Sequence, residues 1–106
     1  MRERSLMLVS SKAVPGREGE YVDWYLGTHL REVCAVPGFT SGKLFACFAP
    51  DGTPTGELNA VYEVEARPAS ELFRALMARR DEMTLTDALD AASVKFTFLE
   101  AVRSAQ

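Results

Sequence analysis

The chain holds a single histidine, His29. It lies in the run Tyr21-Val22-Asp23-Trp24-Tyr25-Leu26-Gly27-Thr28-His29-Leu30-Arg31-Glu32-Val33, which reads as a helix. At about 100° per residue, Val22, Tyr25, Leu26, Val33 and Val36 fall within about 60° of His29. An imidazole is therefore aimed at the core, where a leucine would serve packing better. With an ordinary pKa of about 6.5 it can give or take a proton near neutrality, as a general acid or base must. The plainer alternative is a core histidine bonded to the Tyr25 hydroxyl one turn back. Tyr25 and Glu32 stand one turn on either side of His29, and either can set its tautomer or complete a proton relay. The alternatives are packing for Tyr25, and for Glu32 a solvated carboxylate paired with Arg31 or Lys43. Trp24 projects about 140° from His29 on the same wheel and is expected to cover an edge or meet a partner subunit.

Around this histidine the sequence offers apolar walls and few other reactive groups. Val22, Leu26 and Val33 share its helix face. Phe45, Phe73 and Phe96, with Phe48 and Phe98, are candidates to line a pocket, although aromatic residues at such positions are more often plain core. Tyr62 lies on the apolar face of a strand, and Ser10 or Ser11 can add a hydroxyl from the end of another. Such a cavity, carrying one imidazole, suits a hydrophobic, aromatic or polyketide-like molecule. No serine or cysteine acquires a nucleophile's role from spacing. A multi-histidine metal site is excluded by the histidine count, and neither a metal nor a cofactor is expected. Cys34 and Cys47 lack metal or redox spacing and read as small buried hydrophobes.

The elements that must position these groups follow from periodicity and turn signals. A first strand runs from about Leu6 to Ala13 and stops at Pro15-Gly16. The helix follows from about Arg17 to Ala35, with Glu18, Glu20 and Asp23 near its start and Arg31 near its end, as the helix dipole favours. Pro37-Gly38 terminates it. A second strand spans about Thr40 to Ala49, and Pro50 to Gly56 reads as a surface turn. The third strand, Leu58 to Ala66, alternates cleanly, with Leu58, Ala60, Tyr62 and Val64 on one face. Ala69, Leu72, Phe73, Leu76 and Met77 then recur at helical spacing after Pro68. A short helical turn around Thr86 to Asp90 is expected before a last strand, Ser93 to Ala101.

The order is β-α-β-β-α-β, which predicts an α+β, ferredoxin-like domain over residues 1–106, with a four-stranded antiparallel sheet and both helices on one face. The runs Leu6-Met7-Leu8-Val9 and Leu44-Phe45-Ala46-Cys47-Phe48 are apolar on both faces, whereas a sheet with one wet face should alternate. A homodimer paired through the sheet faces would cover the second side. Glu63 and Glu65 would then meet the partner sheet, neutralised by Lys12, Lys43 or Lys95.

Composition narrows the classes further. The 106 residues carry a net charge of −3, and the densest basic feature is the pair Arg79-Arg80, which argues against nucleic-acid binding. No apolar stretch is long enough to span a membrane or to serve as the apolar region of a signal peptide, so a cytoplasmic protein is the expectation.

Taken in order, Asp23-Trp24-Tyr25, His29-Leu30 and Ala35-Val36-Pro37-Gly38-Phe39, with Thr86-Asp87-Ala88-Leu89-Asp90 before the last strand, resemble the EthD-like branch of the dimeric α/β-barrel superfamily. The resemblance implies ferredoxin-like protomers paired through their sheets, with a small-molecule cavity between sheet and helices and His29 facing it. Activities within that superfamily include cofactor-independent oxygenation, haem degradation, polyketide cyclisation and lactone isomerisation. One departure is visible. Arg31-Glu32 stands where related sequences carry Pro-Asp, so the acid is kept and the helix-distorting proline is absent. Two functions remain open: a cofactor-independent enzyme in which His29 moves a proton, with Tyr25 or Tyr62 bonded to the developing oxyanion, and a non-catalytic binding or accessory protein using the same cavity. Haem degradation fits less well, with one histidine and no haem motif.

Overall fold

A computed structural model describes residues 5–102. Its strands are β1 (Ser5–Lys12), β2 (Phe39–Phe48), β3 (Pro54–Val64) and β4 (Lys95–Glu100). Between β1 and β2 the chain is helical, as α1 (Glu18–Trp24), a π-helical turn (Tyr25–His29) and α2 (Leu30–Cys34). Helix α3 (Ala69–Ala78) follows β3, and short 3-10 turns at Arg80–Glu82 and Ala91–Ser93 lead to β4. The sheet order is β2-β3-β1-β4 with every neighbour antiparallel. Each helical crossover therefore skips one strand, which is the split βαβ arrangement of the ferredoxin-like fold.

Alternation along the strands creates two faces. Met7, Val9 and Ser11 of β1 and Ala60, Tyr62 and Val64 of β3 are buried, and they pack with Tyr21, Tyr25, Val33, Leu72 and Leu76 from the helices. Leu6, Leu8, Phe45, Val61 and Leu99 alternate onto the opposite face, where the register sets Leu8 against Val61 and Leu6 against Leu99. Phe45 is 48% exposed there and Leu99 43%. Among the described residues this second face has no helix over it. Within the chain Glu65 pairs with Arg67 at 2.7 Å, and Glu63 accepts a hydrogen bond from Ser41 Oγ.

Two glycines are required by close approaches. Gly38 ends the first helical segment at φ +99°, and a Cβ there would lie 2.7 Å from Leu72 Cδ2. Gly42 of β2 sits under the ring of Tyr62, where a Cβ would lie 2.7 Å from Cδ1. The missing side chain is what lets the Tyr62 ring lie flat against the sheet.

Two boundaries differ from the pattern-based reading. β3 begins at Pro54 rather than Leu58, because the tight turn closes early: Ala49 N–H donates to the Thr53 carbonyl at 2.8 Å, and Asp51 Oδ1 accepts from Thr53 N–H. A register shift between Ala46 and Phe48 then lets pairing continue to Pro54, a strand-start position that proline tolerates. The helical turn expected at Thr86–Asp90 is not formed. Its backbone is engaged by the end of β1 instead: Val14 N–H donates to Ala88 O and Asp90 N–H to Lys12 O, while Leu89 bridges Ala13. The stretch from Met83 to Leu89 is consequently a non-helical strap with a turn at Asp87-Ala88.

Candidate functional site

The strap roofs a cavity of about 320 Å³ between the sheet and the first helical segment. Met7, Val9 and Tyr62 form its floor, Tyr21, Tyr25, His29 and Val33 one wall, and Met83, Leu85 and Leu89 its cover. The strap is tied down at several points. Arg17, at the start of α1, reaches Asp87 Oδ1 at 2.7 Å and donates to the Asp87 carbonyl. Trp24 Nε1–H donates to the Thr84 carbonyl at 3.1 Å, and Thr84 N–H donates to Glu32 Oε2 at 2.8 Å.

The π-helical turn decides what faces this cavity. Leu30 N–H donates to the Tyr25 carbonyl five residues back, and the Arg31 guanidinium donates to the Gly27 carbonyl. Gly27 and Thr28 are weak helix formers, so a wider turn costs little there. In a straight helix, steps of four drift by about 40° each. The wide turn takes up that drift, and Tyr21, Tyr25, His29 and Val33 all line one cavity. The helix is thus distorted without a proline between Tyr21 and Val36.

The same turn overturns the expectation for Trp24. An i, i+5 pair, 140° apart in an α-helix, comes onto one face when hydrogen bonds run i to i+5. Trp24 stacks on His29 with ring centroids 4.4 Å apart and planes 16° from parallel, and it lines the cavity instead of covering an edge. Tyr25 meets the imidazole edge-on at 5.2 Å.

Of the other candidate residues, Tyr62, Val33 and Phe96 also line the cavity. Val22 and Leu26 do not. Leu26 is 58% exposed, because the register change at the π turn rotates it away from His29. Ser10 and Phe45 alternate onto the open sheet face, Ser10 opposite Asn59 and Lys95, and Phe45 opposite Asn59. Ser11 is the serine that points inward, and its Oγ lies 2.6 Å from Tyr21 Oη. Phe73 packs edge-on against Phe96 at 5.2 Å and stands outside the cavity lining. The parity of Met7, Val9 and Ser11 already distinguishes Ser11 from Ser10. The weak helix formers Gly27-Thr28 are the one sequence signal for the altered register. The strap residues Met83 and Leu85 carried no periodic signal.

Burial sets the protonation states. Loss of hydration lowers the pKa of His29 below its ordinary 6.5, with Glu32 acting in the opposite sense, so the imidazole is neutral at pH 7. Burial first, and then the charge that a neighbouring phenol would carry, raises the pKa of Tyr25 and of Tyr62. Both phenols therefore remain donors. Their hydroxyls approach closely enough for a weak mutual interaction to shift both ionisations, but not in the geometry of a hydrogen bond, so Tyr62 Oη is left without a hydrogen-bond partner among the described residues. His29 Nδ1 and Glu32 Oε1 are likewise buried without hydrogen bonds, 3.5 Å from each other. No group of three or more His, Cys, Asp or Glu side chains among the described residues is arranged to hold a metal ion, and no described helix is long and apolar enough to cross a membrane.

No protein-family model matches the sequence, and no curated protein matches it. Solved structures share its fold. An ethyl tert-butyl ether D (EthD) family protein from Bacillus halodurans is 12% identical, with 92% of this chain and 99% of that one covered at a TM-score of 0.57. A dimeric ferredoxin-like protein from an uncultured marine organism is 13% identical over 99% and 100% of the two chains, at 0.55. A monooxygenase from the gene ActVA-Orf6 of Streptomyces coelicolor, in complex with nanaomycin D, is 19% identical over 99% and 93%, at 0.56. The fold is therefore ferredoxin-like, of the kind found in EthD family and dimeric ferredoxin-like proteins. Among the proteins that share it are monooxygenases and others of unknown function.

Proposed function

We propose that the protein is a cofactor-independent acid–base catalyst acting on a hydrophobic, aromatic or polyketide-like small molecule that carries a carbonyl or phenol. The observation that carries this reading is a neutral imidazole on the wall of an apolar cavity, beside two phenols that keep their protons. A neutral imidazole can accept a proton from a carbon next to a carbonyl, or from a phenol. The electron pair left behind moves onto the carbonyl oxygen in the first case and stays on the phenol oxygen in the second, and the Tyr25 or Tyr62 hydroxyl can donate to either oxyanion. A cavity of about 320 Å³ is at the small end of ligand sites and suits a molecule of one or two rings. The likeness in fold to a monooxygenase solved with nanaomycin D is compatible with such a substrate. We further propose that the protein works as a homodimer paired through the open sheet face, as its apolar residues Leu8, Phe45, Val61 and Leu99 favour.

Proton transfer can be read before the final product is known. In D₂O, a panel of aromatic ketones, β-dicarbonyls and phenols is incubated with the protein, and exchange at the acidic C–H is followed by NMR. The wild type is expected to accelerate exchange for a ligand that binds, and His29→Ala to lose that acceleration while keeping its oligomeric state. Undiminished exchange in His29→Ala would refute the reading. Binding with no exchange in the wild type would favour the accessory or binding protein.

A further inference from the structure

We infer that Glu32 is the positioning residue of this site, holding His29 as the Nδ1–H tautomer so that Nε2 remains free to accept a proton. The inference deepens the proposed acid–base reading and takes its catalytic consequence from it, but it concerns the imidazole itself and can be tested without a substrate.

It starts from two buried atoms that lack hydrogen bonds. His29 Nδ1 and Glu32 Oε1 are shielded from solvent, have no other partner, and face each other at 3.5 Å. Buried polar groups are satisfied in the great majority of cases, and each of these has only the other within reach. Closing the gap by about half an ångström reaches ordinary hydrogen-bond length, a displacement within the freedom of two side-chain torsions. An ionised carboxylate can only accept. The imidazole atom that faces it must therefore carry the proton, which leaves Nε2 with its lone pair.

The remaining neighbours do not compete for this role. Trp24 lies parallel to the imidazole, and its indole N–H is committed to the Thr84 carbonyl. Tyr25 meets the ring edge-on with no hydrogen bond to it. The carboxylate is itself anchored, because Glu32 Oε2 accepts from Thr84 N–H at 2.8 Å. One residue of the strap, Thr84, is thus gripped on both sides by the residues that flank His29: Trp24 on its carbonyl and Glu32 on its N–H. The imidazole's orientation and the cavity's cover share one support.

Glu32→Gln separates the positioning role from simple anchorage. The amide oxygen can still accept from Thr84 N–H, so the strap stays attached. The amide NH₂ then faces Nδ1, which must accept, and the proton moves to Nε2. Because the chain has one histidine, the ¹⁵N spectrum contains one imidazole pair. At about pH 8, above the ordinary imidazole value of 6.5, wild-type Nδ1 is expected at the protonated, pyrrole-like position and Nε2 at the pyridine-like one. Glu32→Gln should exchange the two, with the backbone spectrum otherwise preserved. A wild-type spectrum with Nε2 protonated overturns the inference, and so does a folded Glu32→Gln protein with the tautomer unchanged. If the variant does not fold, the wild-type spectrum alone decides. In the exchange assay Glu32→Gln should lower the rate by roughly 10²- to 10⁴-fold with little change in ligand affinity. A tautomer that inverts without any change in exchange would leave the positioning of His29 standing and sink the catalytic reading instead.

Discussion

Tyr62→Phe should stabilise the protein while weakening its site. Tyr62 has no accessible surface, and its hydroxyl oxygen is buried with no hydrogen-bond partner among the described residues. Leaving such a group unsatisfied costs about 1–3 kcal/mol. The phenylalanine ring would keep the same packing over Gly42, where the Tyr62 ring allows no Cβ, and against Phe39, whose ring is 6.5 Å away. Removing one oxygen from a residue that already borders the cavity adds little further void cost beside that penalty. The expected gain of at least about 1 kcal/mol raises the melting temperature by about 4–8 °C for a domain near 100 residues. The assay is thermal unfolding followed by circular dichroism, with wild type and variant at one protein concentration because an oligomer's melting point depends on it. If the hydroxyl were instead well bonded to Tyr25, the substitution would cost about 0.5–1.5 kcal/mol. The two accounts differ in sign, so an unchanged or lowered melting temperature refutes the argument. A ligand that uses Tyr62 Oη as a donor should bind the variant less tightly, which sets stability and affinity in opposition.

Two further outcomes follow from charge and from the open face. His29 binds its proton less readily folded than unfolded; between the lowered folded pKa and the unfolded value of about 6.5 the unfolded chain therefore carries more protons, and stability must fall as pH drops through that window. Urea unfolding at several pH values should show this decline in the wild type and not in His29→Gln; the carboxyls of Asp51 and Asp87, held below their ordinary 3.8, act only at lower pH. On the open sheet face, Phe45→Glu should yield a folded single chain by sedimentation at micromolar concentration where the wild type sediments as two, and a wild type that sediments as one chain would refute pairing through that face.

The parts legible in the sequence were those governed by local periodicity. Alternation in β3 specified which side of that strand is buried, and the i, i+3, i+4 pattern of α3 placed Leu72 and Leu76 in the core. The candidate site was legible only in part, and within the first helical segment the π turn is the source of error. A helical wheel assumes a constant angle per residue, and the π turn at Tyr25–His29 breaks that assumption at the histidine itself. Leu26 was misplaced by it, and Trp24 was sent to the wrong face. The strap failed for a different reason. Its residues are held by Arg17, Trp24 and Glu32 from far away in sequence, and such contacts leave no local period to read.

Departures from regular structure and from polar satisfaction coincide in this molecule. His29 Nδ1 and Tyr62 Oη belong to residues lining the cavity, and Glu32 Oε1 faces the first of them. A chain selected for stability alone would place leucine and phenylalanine at 29 and 62 and keep a straight helix through Gly27. The first two choices each remove a buried polar atom and with it a donor or acceptor from the apolar cavity described, and the third removes the π turn that brings Trp24 and His29 onto one face. Misfit concentrated at a single place is better explained by a ligand's requirements than by packing. In the proposed arrangement His29 Nδ1 and Glu32 Oε1 satisfy each other, which leaves imidazole Nε2 and the unpartnered Tyr62 hydroxyl as the groups offered to whatever enters the cavity.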